Sequence, residues 1–261
     1  YRVKWSQNTA MGTLIGVLEK DIENGDTADG EDNDRDTYII GLVTKAGDVK
    51  VMPLIAYKDS NSSTTTDLDL IKGILAVTGE VAGLGFEAEG VVIDYDYSQD
   101  TVADATVYGI YGNIWANLDA LKIGVLGAYG NWDTDAGIGY TFGDDFACGG
   151  AYLMGDSVML GPAAAAEIDM TAVTLFALYA DYKVNDKLSI GGYFGYAVSN
   201  QDDGSLYDDS DMYELSGDIT YMITPNLKYA INAGTAQVEY GDTTPDPDRS
   251  IKLAHTLTFS F

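Results

Sequence analysis

Histidine and cysteine are nearly missing from this chain, with one of each in 261 residues. A lone Cys148 leaves no disulfide framework and no cysteine-rich metal centre. A lone His255 leaves no histidine cluster and a single candidate base for nucleophilic catalysis. Positive charge is also scarce: 14 Lys and Arg stand against 41 Asp and Glu, a formal net charge of −27. Nucleic acid is excluded as a partner, because phosphate binding needs a basic footprint. Long apolar runs are absent too. The longest, 170–180 and 157–166, fall short of the roughly 18 residues of a membrane helix. With five prolines and no Pro- or Ser-rich linker, 1–261 reads as a single domain. The opening Tyr1-Arg2-Val3-Lys4-Trp5 has no signal-peptide pattern.

What is present is 46% hydrophobic, too apolar for a disordered acidic chain, and rich in Gly and Tyr. The apolar residues recur at every second position. In the last segment Ile251, Leu253, His255, Leu257, Phe259 and Phe261 alternate with Ser250, Lys252, Ala254, Thr256, Thr258 and Ser260. Successive side chains of a strand face opposite ways, so one face is apolar and the other polar. In 212–223, Tyr213, Leu215, Ile219 and Tyr221 oppose Glu214, Ser216, Asp218 and Thr220. In 168–183, Phe176, Leu178 and Tyr182 oppose Asp169 and Asp181. Segment 187–200 alternates as well. In 84–97 the phase slips near Gly90, and a one-residue bulge there puts Glu87 and Glu89 on the face of Asp94 and Asp96.

About twelve strands are expected. Short turns at 46–48, 117–120, 184–186 and 224–226 alternate with long polar connections at 24–36, 59–67, 98–103, 131–167, 200–210 and 241–249. Lysines flank the short turns, and most of the acid sits in the long connections. Tyrosines gather near strand ends. Together these features predict an all-β fold, a transmembrane antiparallel up-and-down β-barrel with apolar faces to lipid, polar faces to a wet lumen and aromatic girdles between. A soluble β-sandwich also alternates, but its loops are not sorted short against long. The candidate lumen residues are Glu87, Glu89, Asp94, Asp96, Asp169, Asp181, Glu214 and Asp218, with Lys50, Lys72, Lys122 and Lys252 opposing them. Acid lining a low-dielectric channel concentrates cations, so a cation-preferring pore is expected.

A chain closing on an alternating strand with Phe259 and the terminal aromatic Phe261 resembles bacterial outer-membrane barrels, whose assembly machinery reads such a signal. The stretch Tyr1 to Trp5, followed by Asn8-Thr9-Ala10-Met11-Gly12-Thr13, resembles the interior of a Gram-negative homotrimeric general porin. The resemblance implies twelve strands of a sixteen-stranded porin, with about four preceding ones not represented. It also implies a site in the bacterial outer membrane, contact with lipid and lipopolysaccharide, a homotrimer, and passage of small hydrophilic solutes and ions. The rival within the same architecture is a structural or translocator-type barrel of twelve strands closed on itself. An outer-membrane phospholipase would need His255 as its base, and no partner for it is evident, so no enzyme is expected. His255, Ala233 and Thr235 on outward faces suggest the trimer contact. No cofactor is expected. Calcium is considered only at the acidic loops 29–36 and 242–248, which lack EF-hand order. The apolar residues of 131–167, among them Leu153, Met154 and Leu160, need something to bury against, so that connection is expected to fold back, either into the barrel mouth to narrow the pore or over a neighbouring subunit. The very acidic 24–36 is the rival for that role.

Overall fold

The computed structural model describes residues 1–22, 35–60, 68–98, 102–142, 171–202, 208–241, 246 and 248–260. The described residues form strands: β1 (Arg2–Thr9), β2 (Gly12–Ile22), β3 (Arg35–Ala46), β4 (Val49–Ser60), β5 (Leu68–Val81), β6 (Leu84–Tyr97), β7 (Ala105–Leu118), β8 (Leu121–Gly130), β9 (Trp132–Asp133), β10 (Ile138–Gly139), β11 (Val173–Lys183), β12 (Leu188–Ser199), β13 (Asp211–Thr224), β14 (Leu227–Glu239) and β15 (Ser250–Phe259). Thirteen of them pair in sequence order into one up-and-down sheet, and β9 with β10 forms a separate small ribbon. Every register that the described pairs define is antiparallel. Among the described residues no pairing joins β1 to β15.

Within the large sheet, the strand beyond the twelve expected is β1. Its Arg2, Lys4, Ser6 and Asn8 alternate with Val3, Trp5, Gln7 and Thr9, so neither face is cleanly apolar. The turn that ends it, Ala10-Met11, contains none of the residues that mark turns in sequence. Only its register against β2, from Arg2↔Glu19 to Thr9↔Gly12, identifies it as a strand. The turn after β5 follows ordinary hairpin chemistry: Ala82 and Gly83 both have positive φ, 55° and 82°, as a two-residue type I′ turn requires.

The chain divides into two compact units. The first comprises Tyr1–Val81, Glu87–Ile110 and Trp132–Gly139, and the second Ala82–Phe86, Tyr111–Asn131 and Tyr140–Phe261. In the first, Pro53 has no N–H to give, and the β3–β4 pairing is interrupted between Gly41↔Leu54 and Thr44↔Val51. The β4–β5 pairing on its other side runs unbroken through Pro53↔Leu75.

Both units expose a row of large aliphatic side chains along one face. In the second, Leu178, Phe194, Leu215 and Ile219 are exposed on one face, here the outer face. The opposite, inner face holds Glu214, fully buried, with Ser216 and Asn113. In the first, Ile40, Ile55, Ile71 and Leu75 are the exposed residues. A contiguous apolar face of this extent is costly in water and needs an apolar solvent. Aromatics bound it. On the second unit Tyr129, Phe176, Tyr196 and Tyr213 stand toward the long connections, and Tyr182, Tyr221 and Tyr229 toward the short turns. From Tyr213 to Tyr221 β13 advances about 26 Å, at roughly 3.3 Å per residue. An aliphatic stretch between two aromatic ends is the pattern of a membrane-barrel strand.

Leu253 is 74% exposed on the outer face of β15, and Thr256 faces inward. Leu253→Arg is expected to impair assembly, since a cation on the mid-bilayer lipid face costs roughly 2–4 kcal/mol. Thr256→Arg is expected to assemble normally. Heat-modifiable migration on gels separates the two, and equal damage from both would contradict the assignment of faces.

Candidate pore-lining face

Antiparallel neighbours directly opposite one another share a face, so the registers group the inner side chains into rows. In the second unit one row runs Lys122, Asp181, Gly191, Asp218, Asn232 across β8 and β11–β14. The next runs Gly124, Tyr179, Tyr193, Ser216, Gly234, and on β15 Lys252. A third places Glu214 between Gly195 and Ala236. The expected site residues Asp181, Asp218, Lys122, Glu214 and Lys252 are therefore brought onto one face within three adjacent rows.

Glycines in these rows seat aromatic rings. Tyr179 lies across Gly124, Trp115 across Gly85 and Tyr193 across its own neighbour Gly195, so a methyl group at any of these positions would run into the ring. The Tyr179 hydroxyl donates to Asn113 Oδ1 at 2.9 Å. Lys122 Nζ sits 5.0 Å from the Trp115 ring centre and 5.4 Å from that of Tyr179, within cation–π range of both. Trp115 and Asn113 are not legible as inner-face residues, whereas the parity of 187–200 already places Tyr193 there. Segment 104–116 offers two faces of similar polarity, and only the burial of Val107 and Asn113 settles its phase.

In the first unit Glu87 and Glu89 lie on the inner face of β6 with Val91 and Ile93, both buried. Asp94 and Asp96 do not. Alternation passes through Gly90 without the expected bulge, so these two carboxylates stand on the opposite face. There Asp94 Oδ1 accepts a 2.8 Å hydrogen bond from Thr106 Oγ1, whose neighbours Ala105 and Val107 point the other way and are buried. Lys50 and Lys72 are inner residues, opposite Thr78 and Ala56. Asp169 lies outside the described residues, as do most of 131–167, most of the acidic runs 24–36 and 242–248, Cys148 and Phe261. Phe259 is an exposed outer-face residue.

Among the described inner-face residues of each unit cations outnumber acids, so the expected cation preference finds no support there. On the inner face of the first unit Arg2, Lys4, Arg35, Lys45, Lys50, Lys58 and Lys72 outnumber Glu19, Glu80, Glu87 and Glu89. On that of the second, Lys122, Lys183, Lys228 and Lys252 outnumber Asp181, Glu214 and Asp218. The strands gather the chain's few cations inward, while most of its acid lies in the connections and at strand ends. Net charge thus says little about the wall.

The connection after β8 begins by folding back. Tyr140 N–H donates to Asn131 O at 2.9 Å, and Ala172 N–H donates to Tyr140 O at 2.8 Å. A methyl on the inner side of Gly130 would lie 3.0 Å from Tyr140 O and 3.4 Å from the Phe142 ring. Tyr140 and Phe142, both buried, therefore lie over the inner face at the end of β8.

Gly124→Val is expected to displace the Tyr179 ring and break its bond to Asn113, costing about 1–3 kcal/mol by overpacking. Gly112→Val, on the outer face with open space around it, is the control. A urea titration that ranks the two equally would refute the seat.

No family model and no curated protein matches the chain. Solved structures do. The chain is 11% identical to OccAB3 of Acinetobacter baumannii over 99% of its own length and 67% of the other, with a TM-score of 0.60. It is 12% identical to OccK9 (OpdG) of Pseudomonas aeruginosa, covering 98% and 65%, TM-score 0.55. It is also 12% identical to OccK11 (OpdR) of the same organism, covering 99% and 70%, TM-score 0.56. The chain spans about two thirds of the length of each. Its fold is that of the Gram-negative outer-membrane porins.

Proposed function

We propose that the protein is an outer-membrane channel through which small hydrophilic solutes and ions diffuse passively, with lipid against its outer face. One observation carries the reading: an exposed apolar face bounded by two aromatic rows is backed by a face on which nearly all the strand lysines and arginines gather. Buried in a soluble core, so many charged side chains would carry a heavy desolvation cost. Against water in a lumen they are solvated at no such cost. Lipopolysaccharide at the outer leaflet and a homotrimer belong to the same reading. Ala233 and the exposed His255, on the outer faces of β14 and β15, are small or polar where close packing against another copy would use them.

Selectivity follows the wall rather than the composition. Mixed inner charge with a surplus of cations predicts a ratio of K⁺ to Cl⁻ permeability at or below one, measured as the reversal potential across a salt gradient in planar bilayers. A strongly cation-selective reversal would show that acid in the connections dominates the wall. Bilayers without any current would refute the channel itself.

A further inference from the structure

Asn200, the residue after β12, is bonded to the ends of both β8 and β11. Its backbone N–H donates to Ala172 O at 2.6 Å. Its Nδ2 donates to Gly130 O at 2.8 Å, and its Oδ1 accepts the Thr174 hydroxyl at 2.9 Å. A carbonyl oxygen can only accept, so the amide nitrogen must face Gly130 and the amide oxygen Thr174. An ionised aspartate has the same shape but no donor to offer Gly130.

The tie continues inward through Ala172. This residue is fully buried and holds φ at 51°, a left-handed conformation unfavourable for a residue with a β-carbon. Bonds on both sides keep it there: its carbonyl takes the Asn200 N–H, and its own N–H goes to Tyr140 O. Next to these two residues Thr141 and Thr171 form an antiparallel bridge, their hydroxyl oxygens 2.6 Å apart. Gly130, which the Asn200 amide grips, is the glycine over which Tyr140 and Phe142 lie. Those two rings meet edge to face, with centroids 5.0 Å apart and planes at 85°. Asn200 thus holds the floor beneath the aromatic pair and, through Ala172, the backbone that carries it.

We propose that Asn200 is a positioning residue for the pore: it clamps the Tyr140–Phe142 segment against the inner wall at the end of β8, and that segment narrows the lumen there. A segment laid on the inner face takes cross-section from the channel, and the width left open depends on how closely it is held. Asn200 acts through the segment and touches no solute itself. The narrowing rests on the channel reading, whereas the clamp does not.

Two measurements test it. Hydrogen exchange of the full-length protein in detergent reads the clamp without any solute. The Tyr140 and Ala172 amides are expected to be protected in the wild type and to exchange faster in Asn200→Ala, while those of Leu178 and Phe194 in mid-strand stay protected. Proteoliposome swelling with uncharged sugars of graded size reads the width. Asn200→Ala and Asn200→Asp are both expected to admit a larger sugar than the wild type. Tyr140→Ala with Phe142→Ala should do the same. Adding Asn200→Ala to that pair should shift the cut-off no further, because the three residues act as one unit. Heat-modifiable migration on gels verifies that each variant is assembled. Unchanged exchange at Tyr140 and Ala172 would overturn the clamp. Unchanged cut-offs, or an additive shift in the triple variant, would overturn the role in the pore even if Asn200→Ala melts at a lower temperature. Faster exchange in Asn200→Ala, together with a wild type that admits no sugar, would uphold the clamp and refute the channel.

Discussion

Every backbone N–H and C=O of a chain crossing hydrocarbon must find a partner within the protein, because the solvent offers none. The rest of this structure depends on that constraint. Sequential antiparallel pairing meets it with the shortest connections, which is why thirteen strands neighbour one another in chain order. Once the ladder is in place, side chains can only alternate, and all remaining design is a choice of what to put on each face. The departures from the ladder are local. Pro53 interrupts it on one side and leaves the other whole. The bulge between Met222 and Thr224 lies at the end of β13, beside its turn.

The two faces meet opposite demands. The outer one is aliphatic in mid-strand and aromatic at both ends, a distribution set by lipid tails and the interface. The inner one has no single chemistry. Toward the long connections of the second unit it is closely packed, with Leu126, Leu175, Ala177 and Val238 buried there and Tyr140 and Phe142 laid over Gly130. Toward the short turns it is charged. Glycine recurs at the boundary, at positions 124, 191 and 195, where ring or carboxylate needs the space of a side chain that is not there. Small residues on such a wall set the direction in which their larger neighbours lie.

Much of this was legible in the residues because the strand period is two and needs no tertiary knowledge. The alternation of Leu253 and Leu257 with Thr256 and Thr258 on β15, or of Leu215 and Ile219 with Glu214 and Asp218 on β13, states the face of each residue outright. Where alternation is weak, the reading failed in specific ways. The Arg2–Thr9 strand has no apolar face to notice. At Gly90 an inferred bulge sent Asp94 and Asp96 to the wrong side, since a glycine in a strand signals a bulge without requiring one.

Composition and period two together determined the class: an acidic, all-β chain with one face for lipid and one for water. Only pairing across strands decided what the water-facing side is made of. Net charge is a sum over the whole chain and carries no face, so a protein of charge −27 can present a wall on which cations outnumber acids. Likewise, Asp181, Gly191 and Asp218 are distant in sequence, and their convergence is a matter of register alone. A shift of one residue in either strand pair would carry a carboxylate to the opposite face.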